Sequence, residues 1–263
     1  MPSSSSLFVL VIFLLFSTLP NLRNVAVGWH PVDPLSGFVE LPLNESNFDI
    51  QRPYDVPLHE RYSIINGVHK LWVFSSDKPH ALTSNTNPRT EIRIRGYDYS
   101  TGVWQFEGHG YVPSGTSGVC IMQVFGANRT ATTLMLRVYE GAVTYYRSGP
   151  VLVPRIYDKW FRLNVIHDVG AGKVKVFVDG VLKLEVKDRG GASHYFKCGV
   201  YAQNDDSSCM ESRWKGIKGL TVDCIETRFR PSRVAVEMSR LSTEADDTAD
   251  ASSRLKHDNL TNN

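Results

Sequence analysis

The sequence predicts an all-β protein built as a two-sheet β-sandwich or jelly roll. Asn66-Gly67 and Asp179-Gly180 each stand between two strand-like runs, which is the strongest short-range signal for a β-hairpin. Further strand-like runs are separated by clusters of Gly, Pro, Asn and Asp, and no segment carries a helical stripe beyond a turn or two. Many short strands with turns between them are typical of two packed sheets.

The chain begins with a predicted secretory signal peptide, residues 1–28. The apolar run from Leu7 to Phe16 is too short to span a bilayer but fits the apolar core of a signal sequence. Ala26-Val27-Gly28 is a small-x-small cleavage site, which makes Trp29 the expected mature start. We therefore expect a protein of the secretory pathway, with no membrane partner.

A single domain is expected over residues 29–230, followed by a disordered tail over 231–263. The tail has no aromatic residue and almost no apolar periodicity, so it cannot bury enough surface to order itself. The formal net charge of the whole chain is only +2, which does not suggest a nucleic-acid partner.

The cysteines and the sequons agree with an oxidising compartment. Four cysteines permit three pairings, and we favour Cys198 with Cys209, although a free, buried Cys120 fits the sequence equally well. Three glycosylation sequons are present, at Asn44, Asn128 and Asn259.

Polar side chains follow one face of the segment "NPRTEIRIRG". Arg89, Glu91, Arg93 and Arg95 alternate with apolar or small residues, so they share a face of the predicted strand. A solvated face of an antiparallel sheet explains this pattern about as well as a binding surface does. The functional interpretation is a row of guanidinium groups that bind carboxylates, with Glu91 holding one of them in place.

Two further segments carry a similar face. In "HYFKCGVYAQ", Tyr195, Lys197, Tyr201 and Gln203 alternate with residues suited to a core, and rings with amides and cations suit sugar acids. In "CIMQVFG", Gln123 is expected to share a face with Val119, Ile121 and Phe125. A structural glutamine with its hydrogen bonds satisfied in the core is the alternative there.

Together, "RTEIR", "MQVF" and "YFKCGVYAQ" resemble the three signature blocks of the alginate lyase family of polysaccharide lyases. Those blocks read approximately R-T-E-L/V-R, Q-I/V-H and Y-F-K-A-G-x-Y-x-Q. The wider pattern, including "GYDYSTGVWQFEG", looks still more like the plant citrate-binding protein group within that superfamily. The resemblance implies a concanavalin-like jelly roll with a concave binding groove.

The resemblance also implies roles for individual residues. Arg89 and Gln123 match the pair that neutralises a uronate carboxylate, and Tyr201 matches the tyrosine that protonates the leaving oxygen. Phe125 stands at the position of the proton-transfer histidine, and its ring can neither accept nor donate a proton. Losing such a group typically lowers a rate by about 10²–10⁴-fold. The sequence assigns no face to three histidines, His109, His167 and His194.

Three functions follow from these residues. The first is a non-catalytic binding protein for citrate or a uronate-type ligand such as an acidic oligosaccharide. The second is a weak polyuronate lyase of alginate or glucuronan type that uses Tyr201 as acid and base, and the third is a lectin-like structural protein of the cell wall. No cofactor or metal is expected, and the vacuole and the cell exterior fit equally well. The expected ligand-binding residues are Arg89, Glu91, Arg93, Gln123, Lys197, Tyr201 and Gln203.

Overall fold

The structure, a computed structural model, describes residues 33–204 and 206–222. The predicted signal peptide and the predicted tail lie outside these residues, as do Cys224 and Asn259. Two 3₁₀ turns, Glu45–Asn47 and Leu58–Glu60, are the helical elements in this part of the chain. Within it, no helix is long and apolar enough to cross a membrane.

Fifteen β-strands form the framework of the described chain. They are β1 Phe38–Glu40, β2 Phe48–Gln51, β3 Tyr62–Ile65, β4 Val68–Phe74, β5 Arg89–Ile94, β6 Val103–Tyr111, β7 Val119–Phe125, β8 Thr132–Tyr139, β9 Ala142–Tyr145, β10 Val151–Val153, β11 Trp160–Asp168, β12 Lys173–Val178, β13 Val181–Lys187, β14 Tyr195–Ala202 and β15 Cys209–Val222. The expectation of an all-β fold is confirmed.

The strands form two antiparallel sheets. The seven-stranded sheet has the order β10-β9-β8-β7-β14-β5-β2. The eight-stranded sheet has the order β13-β12-β11-β6-β15-β4-β3, with β1 added beside the second half of β15. The two sheets enclose one apolar core, to which both contribute alternate side chains such as Leu71, Phe106, Ile92 and Leu136.

Two-residue turns join neighbouring strands where the sequence predicts them. Asn66-Gly67 joins β3 to β4 and Asp179-Gly180 joins β12 to β13, with positive φ at all four residues. A third turn of this kind is Glu140-Gly141. It divides a run that looks continuous in the sequence into two strands, β8 and β9. Glu140 adopts a φ of 50° there.

Strand β7 departs from the simple alternation expected of it. Its pairing with both neighbouring strands shifts register between Cys120 and Met122, which marks a β-bulge. Val119 and Ile121 belong to the core cluster, whereas Gln123 does not. The expected grouping of Gln123 with Val119 and Ile121 is therefore wrong, because the bulge inverts the alternation along the strand.

The favoured disulfide between Cys198 and Cys209 is also wrong. Cys198 is a free thiol in the core between the sheets. Cys209 is a free, exposed thiol at the start of β15, where it pairs with the exposed Phe74. The two side chains thus lie on opposite sides of a sheet. Cys120 is free and fully buried, as the other interpretation of the sequence expects.

Candidate functional site

Strands β5, β14 and β7 are neighbours in the seven-stranded sheet, and they bring the three sequence blocks together. We call the face of this sheet that is turned away from the core the site face. Two rows of paired residues cross it from β5 through β14 to β7. The first row is Arg89, Tyr201 and Cys120, and the second is Arg93, Lys197 and Gln123.

Glu91 is the centre of the site face. One of its carboxylate oxygens accepts a hydrogen bond from the Gln123 amide. The other accepts from Arg89 Nη1 at 3.2 Å and lies 3.5 Å from Lys197 Nζ. Glu91 is completely buried, and Gln123 and Lys197 are 1% and 2% exposed, although none of the three faces the core. They therefore form the floor of a site covered by neighbouring side chains.

Lys197 is a buried amine with two oxygen partners. Its Nζ donates to Gln51 Oε1 at 2.7 Å, in addition to its contact with Glu91. Burial lowers the pKa of Lys197, while the negative charge of Glu91 opposes that shift. With Arg89, the charged form of Lys197 places two positive charges around one carboxylate, so this buried cluster carries an excess of positive charge.

Gly199 makes room for this arrangement. It lies opposite Glu91 between Lys197 and Tyr201, and its φ of +142° is rarely adopted by residues with a side chain. A Cβ atom at this position would stand 2.4 Å from the Thr90 carbonyl oxygen. The close approach of β14 to β5 therefore requires glycine.

Arg89 is positioned from three sides. Its Nη1 binds Glu91, its Nη2 donates to Thr86 Oγ1 at 3.0 Å, and its guanidinium carbon lies 3.8 Å from the centre of the Tyr201 ring. Its Nε is buried and has no hydrogen-bond partner among the described residues. One donor of Arg89 is thus left to bind an anion, or a water molecule in its place.

Phe125 lies on the site face next to Gln123, as the sequence predicts. Its ring stacks on Tyr195 with a centroid distance of 4.7 Å and an angle of 19° between the planes. Lys197 Nζ lies 5.3 Å from the centre of the Phe125 ring. Phe125 therefore forms an apolar cover beside the amine, where the resemblance expects a titratable imidazole.

Tyr201 is half-buried beside Arg89. Burial raises the pKa of the Tyr201 hydroxyl, and the positive charge of Arg89 partly opposes this rise. The phenol is consequently protonated at neutral pH. This state suits the donation of a proton and is unfavourable for a base.

Two of the expected ligand-binding residues lie outside the Glu91 network. Arg93 binds Asp98 at 2.6 Å and stacks on Tyr195 with its guanidinium carbon 4.1 Å from the ring centre. Gln203 follows the end of β14, and its amide donates to backbone carbonyls at the end of that strand. The residues that the structure brings together are Arg89, Glu91, Gln123, Lys197 and Tyr201.

Sequence reasoning misses a basic group further along the site face. Arg137 of β8 extends the first row, because it pairs with Cys120. The guanidinium carbons of Arg137 and Arg189 lie 5.2 Å and 4.3 Å from the centre of the Tyr146 ring. Arg137 Nε is buried without a hydrogen-bond partner among the residues that the structure describes. In "TTLMLRVY", Arg137 alternates with apolar residues, and this pattern could have identified it as a residue of the site face.

His80, in the loop between β4 and β5, is a second residue that the sequence does not single out. It is half-buried, and its Nδ1 has no hydrogen-bond partner within the described chain. Burial lowers the pKa of His80, and the positive charges of Arg89 and Lys197 lower it further. The positive charges on the site face therefore influence the protonation of His80.

The three histidines without an assigned face lie elsewhere. His109 is on the outer face of the eight-stranded sheet, where it pairs with Arg162. His167 and His194 are completely buried, and their ring centres are 4.6 Å apart. His167 Nδ1 lies 3.0 Å from the Tyr99 hydroxyl oxygen, and its Nε2 lies 3.2 Å from Asp188 Oδ2.

The sequence of nearly the whole sandwich, all strands except β1, matches a known family. The alginate lyase family model covers residues 41–221. The chain belongs to the alginate lyase family. The matched range begins before β2 and ends one residue before the end of β15. Every residue of the site face lies within it.

The chain is similar in sequence to a citrate-binding protein and similar in fold to solved alginate lyases. The chain is 60% identical to a citrate-binding protein of Hevea brasiliensis over 187 residues, which cover 71% of this chain and 78% of that protein. The family 7 alginate lyase A1-II′, solved in complex with substrate, has a TM-score of 0.55 at 13% identity, over 69% of this chain and 95% of its own. An alginate lyase from Corynebacterium sp. has a TM-score of 0.51 at 14% identity, over 70% and 94% of the two chains. The likeness to the two lyases shows the jelly-roll fold.

Proposed function

We propose that this family member is a non-catalytic binding protein for a carboxylated ligand, either citrate or a uronate-type glycan, held on the site face. Support comes from the similarity to the Hevea citrate-binding protein and from the excess of positive charge around Glu91. The Nε atoms of Arg89 and Arg137, which have no partner among the described residues, offer donors to a carboxylate.

Phe125 is the observation that carries the proposal. The side chain occupies the place expected for the proton-transfer histidine, and it is stacked on Tyr195 beside the Lys197 amine. A phenyl ring there leaves Arg89 and Gln123 in place while removing one titratable group. The site keeps its means of holding a carboxylate and loses a means of moving a proton.

A second candidate function, weak polyuronate lyase activity, is favoured by Tyr201. Its ring is half-buried on the site face and its hydroxyl is protonated at neutral pH, so it can supply the proton that a leaving glycosidic oxygen requires. The same raised pKa makes Tyr201 a poor base. Any β-elimination that depends on Tyr201 alone is therefore expected to be slow.

The distance between Arg89 and Arg137 distinguishes the two classes of ligand, citrate and uronate oligosaccharides. These arginines are three strand spacings apart in one row, which corresponds to about 14 Å between their backbones. Citrate carries its carboxylates on a three-carbon backbone and is much shorter than this span. A uronate oligosaccharide is long enough to contact both arginines.

Calorimetry with citrate and with uronate oligosaccharides tests the binding function. Arg89→Ala is expected to weaken binding strongly, while Arg155→Ala, which removes the same charge from an exposed position between β10 and β11, leaves affinity unchanged. Arg137→Ala should weaken oligosaccharide binding and spare citrate. Unchanged affinity in a folded Arg89→Ala protein would remove Arg89 from the site.

Incubation with polymannuronate, polyguluronate and polyglucuronate tests the lyase function. β-Elimination forms a C=C bond conjugated to the carboxylate, so turnover appears as rising ultraviolet absorbance. Clear turnover by the unaltered protein would overturn the non-catalytic proposal. Binding of glycans without any binding of citrate would favour a lectin-like role in the cell wall.

We also propose that the protein travels through the secretory pathway to the vacuole or the cell exterior. Asn44 and Asn128, two of the three sequon asparagines, are exposed in the structure. A fluorescent fusion in plant cells, combined with glycosidase treatment of the purified protein, tests the route. Cytosolic fluorescence and an unchanged electrophoretic mobility would contradict it.

A further inference from the structure

The outer face of the eight-stranded sheet carries four aromatic rings, each with a basic side chain beside it. The cation lies within the range of a cation–π contact in every pair. We call this set the basic-aromatic belt. Its pairs are Phe74 with Arg61 at 4.8 Å, Trp72 with Lys70 at 5.1 Å, Tyr111 with Arg213 at 5.1 Å, and Trp160 with Lys215 at 4.3 Å.

Strand pairing aligns four of the eight members of the belt across the sheet. Lys70, Arg213, Tyr111 and Trp160 are successive partners on β4, β15, β6 and β11. Three strand spacings separate the ends of this row, a span of about 14 Å. The row is therefore long enough to contact several consecutive units of a polymer.

Two rings of the belt are exposed and two are half-buried. Trp160 and Phe74 are each 38% exposed, while Trp72 and Tyr111 are half-buried. The ring centres of Tyr111 and Trp160 lie 5.5 Å apart, so these two side chains form one continuous apolar surface. Their ring planes are inclined by 49°, so this surface offers an angled apolar platform to a ligand.

The belt carries more basic than acidic groups. Two carboxylates, Asp77 and Glu211, pair with three of its four cations, Arg61, Lys70 and Arg213. Asp158 accepts a hydrogen bond from the Tyr111 hydroxyl at one edge. The fourth cation, Lys215, is exposed and has no carboxylate within 4 Å in the part of the chain that the structure describes. Lys215 beside Trp160 is therefore the cation most available to an acidic ligand.

We propose that the basic-aromatic belt is a second binding surface, which takes an acidic polysaccharide chain. Exposed rings stack on the apolar faces of pyranose units, and the neighbouring cations reach the carboxylates that uronate units carry. Charge complementarity favours this occupant over a second copy of the protein, because two belts would bring basic groups against each other. The belt shares no residue with the site face and does not depend on the function proposed for it.

Affinity electrophoresis of the full-length protein in gels containing polygalacturonate tests this surface, with dextran gels as the neutral comparison. Trp160→Ala and Lys215→Ala are each expected to weaken retention by polygalacturonate about tenfold. Lys187→Ala removes the same charge from an exposed position on β13, away from the belt, and should leave retention unchanged. Added salt should weaken the retention by screening the cations.

Measurements in an Arg89→Ala protein distinguish retention through the belt from retention through the site face. Every belt variant is measured both in the parent and in a folded Arg89→Ala protein, which lacks the guanidinium expected to bind a carboxylate on the site face. The effect of the belt variants should be the same or larger in the second background. Calorimetric affinity for citrate should be equal in the Trp160→Ala/Lys215→Ala double variant and the parent.

Three results would overturn the proposal. They are unchanged retention of the double variant in the Arg89→Ala background, equal retention of the unaltered protein by dextran, and self-association that is lost in the belt variants. Lys215→Glu reverses the charge of an exposed side chain, so it tests the belt without disturbing the core. Retention of Lys215→Glu equal to that of the parent is a fourth result that would overturn the proposal.

Discussion

At the scale of single residues, the site depends on Glu91 and Phe125 in different ways. Glu91 organises three partners beneath the surface, and its contacts explain why Arg89, Gln123 and Lys197 remain buried on a face turned away from the core. Phe125 lies beside this network and adds no charge or hydrogen bond to it. Glu91 sets the geometry of the binding groups, whereas Phe125 leaves the site without a proton-transfer group at its position.

Replacement of Glu91 by glutamine should destabilise the fold. The change leaves the positive charges of Arg89 and Lys197 buried without a counter-charge, and breaking a buried ion pair in this way costs about 3–5 kcal/mol. Urea denaturation measures the loss in unfolding free energy. Glu185→Gln is the control, because Glu185 pairs with Lys173 on the surface and its loss should change stability little. Equal stabilities of the two variants would contradict the role of Glu91.

Replacement of Phe125 by histidine should introduce lyase activity. The imidazole would stand beside Gln123, in the place where the family resemblance expects a proton-transfer group, and such groups contribute about 10²–10⁴-fold to rates. Ultraviolet absorbance during incubation with polyuronates measures the product. Phe125→Asn, which introduces a polar group that does not titrate, is the control. Equal rates in both variants would show that proton transfer at this position is not limiting.

At the scale of secondary-structure elements, buried polar groups accumulate where strands β11 and β14 approach the loop that holds Tyr99. His167 lies between the Tyr99 hydroxyl and Asp188, with the His194 ring packed against it. Burial lowers the pKa of His167, and the hydrogen bond with Asp188 opposes this shift. The cluster is therefore most stable with a neutral imidazole.

Acid should weaken the fold through His167. The folded state holds the proton less readily than the unfolded state, so the contribution to stability is complete above the ordinary histidine pKa of about 6.5 and declines below it. The urea midpoint should decrease as the pH is lowered from 7 to 5. His167→Gln should flatten part of this dependence, while His59→Gln removes an exposed imidazole and serves as control. A midpoint that rises on acidification would contradict the assignment.

Sequence patterns predict those elements whose geometry is set locally. The Asn-Gly and Asp-Gly turns require only two residues of positive φ, so the hairpins β3–β4 and β12–β13 follow from the sequence. The bulge after Cys120 depends on the register of β7 against two neighbouring strands, and no local pattern encodes it. Arg137 could have been found from alternation, whereas the cover that Phe125 and Tyr195 form together requires the pairing of β7 with β14.

At the scale of the whole molecule, the fold is held by packing between sheets, and no disulfide joins the described cysteines. Cys120, Cys198 and Cys209 are all free thiols, and the first two are completely buried. Burial raises the pKa of the Cys120 and Cys198 thiols, which keeps them protonated and unreactive. Stability must come mainly from the apolar core.

Reduction should therefore leave the thermal stability of the protein unchanged. Dithiothreitol is expected to have no effect on Tm, because the described thiols are already free. Scanning calorimetry with and without the reductant measures this. A disulfide between Cys198 and Cys209 would instead contribute about 2–4 kcal/mol, and its reduction would lower Tm clearly.

Strand β15 has a consequence for how the protein is made. It is the last strand of the described chain, yet it lies between β4 and β6 in the interior of the eight-stranded sheet. As the chain leaves the ribosome, β4 and β6 emerge long before the strand that must separate them. The eight-stranded sheet cannot be completed until β15 has been synthesised, so the earlier strands keep open edges and the final assembly of the sandwich comes late in synthesis.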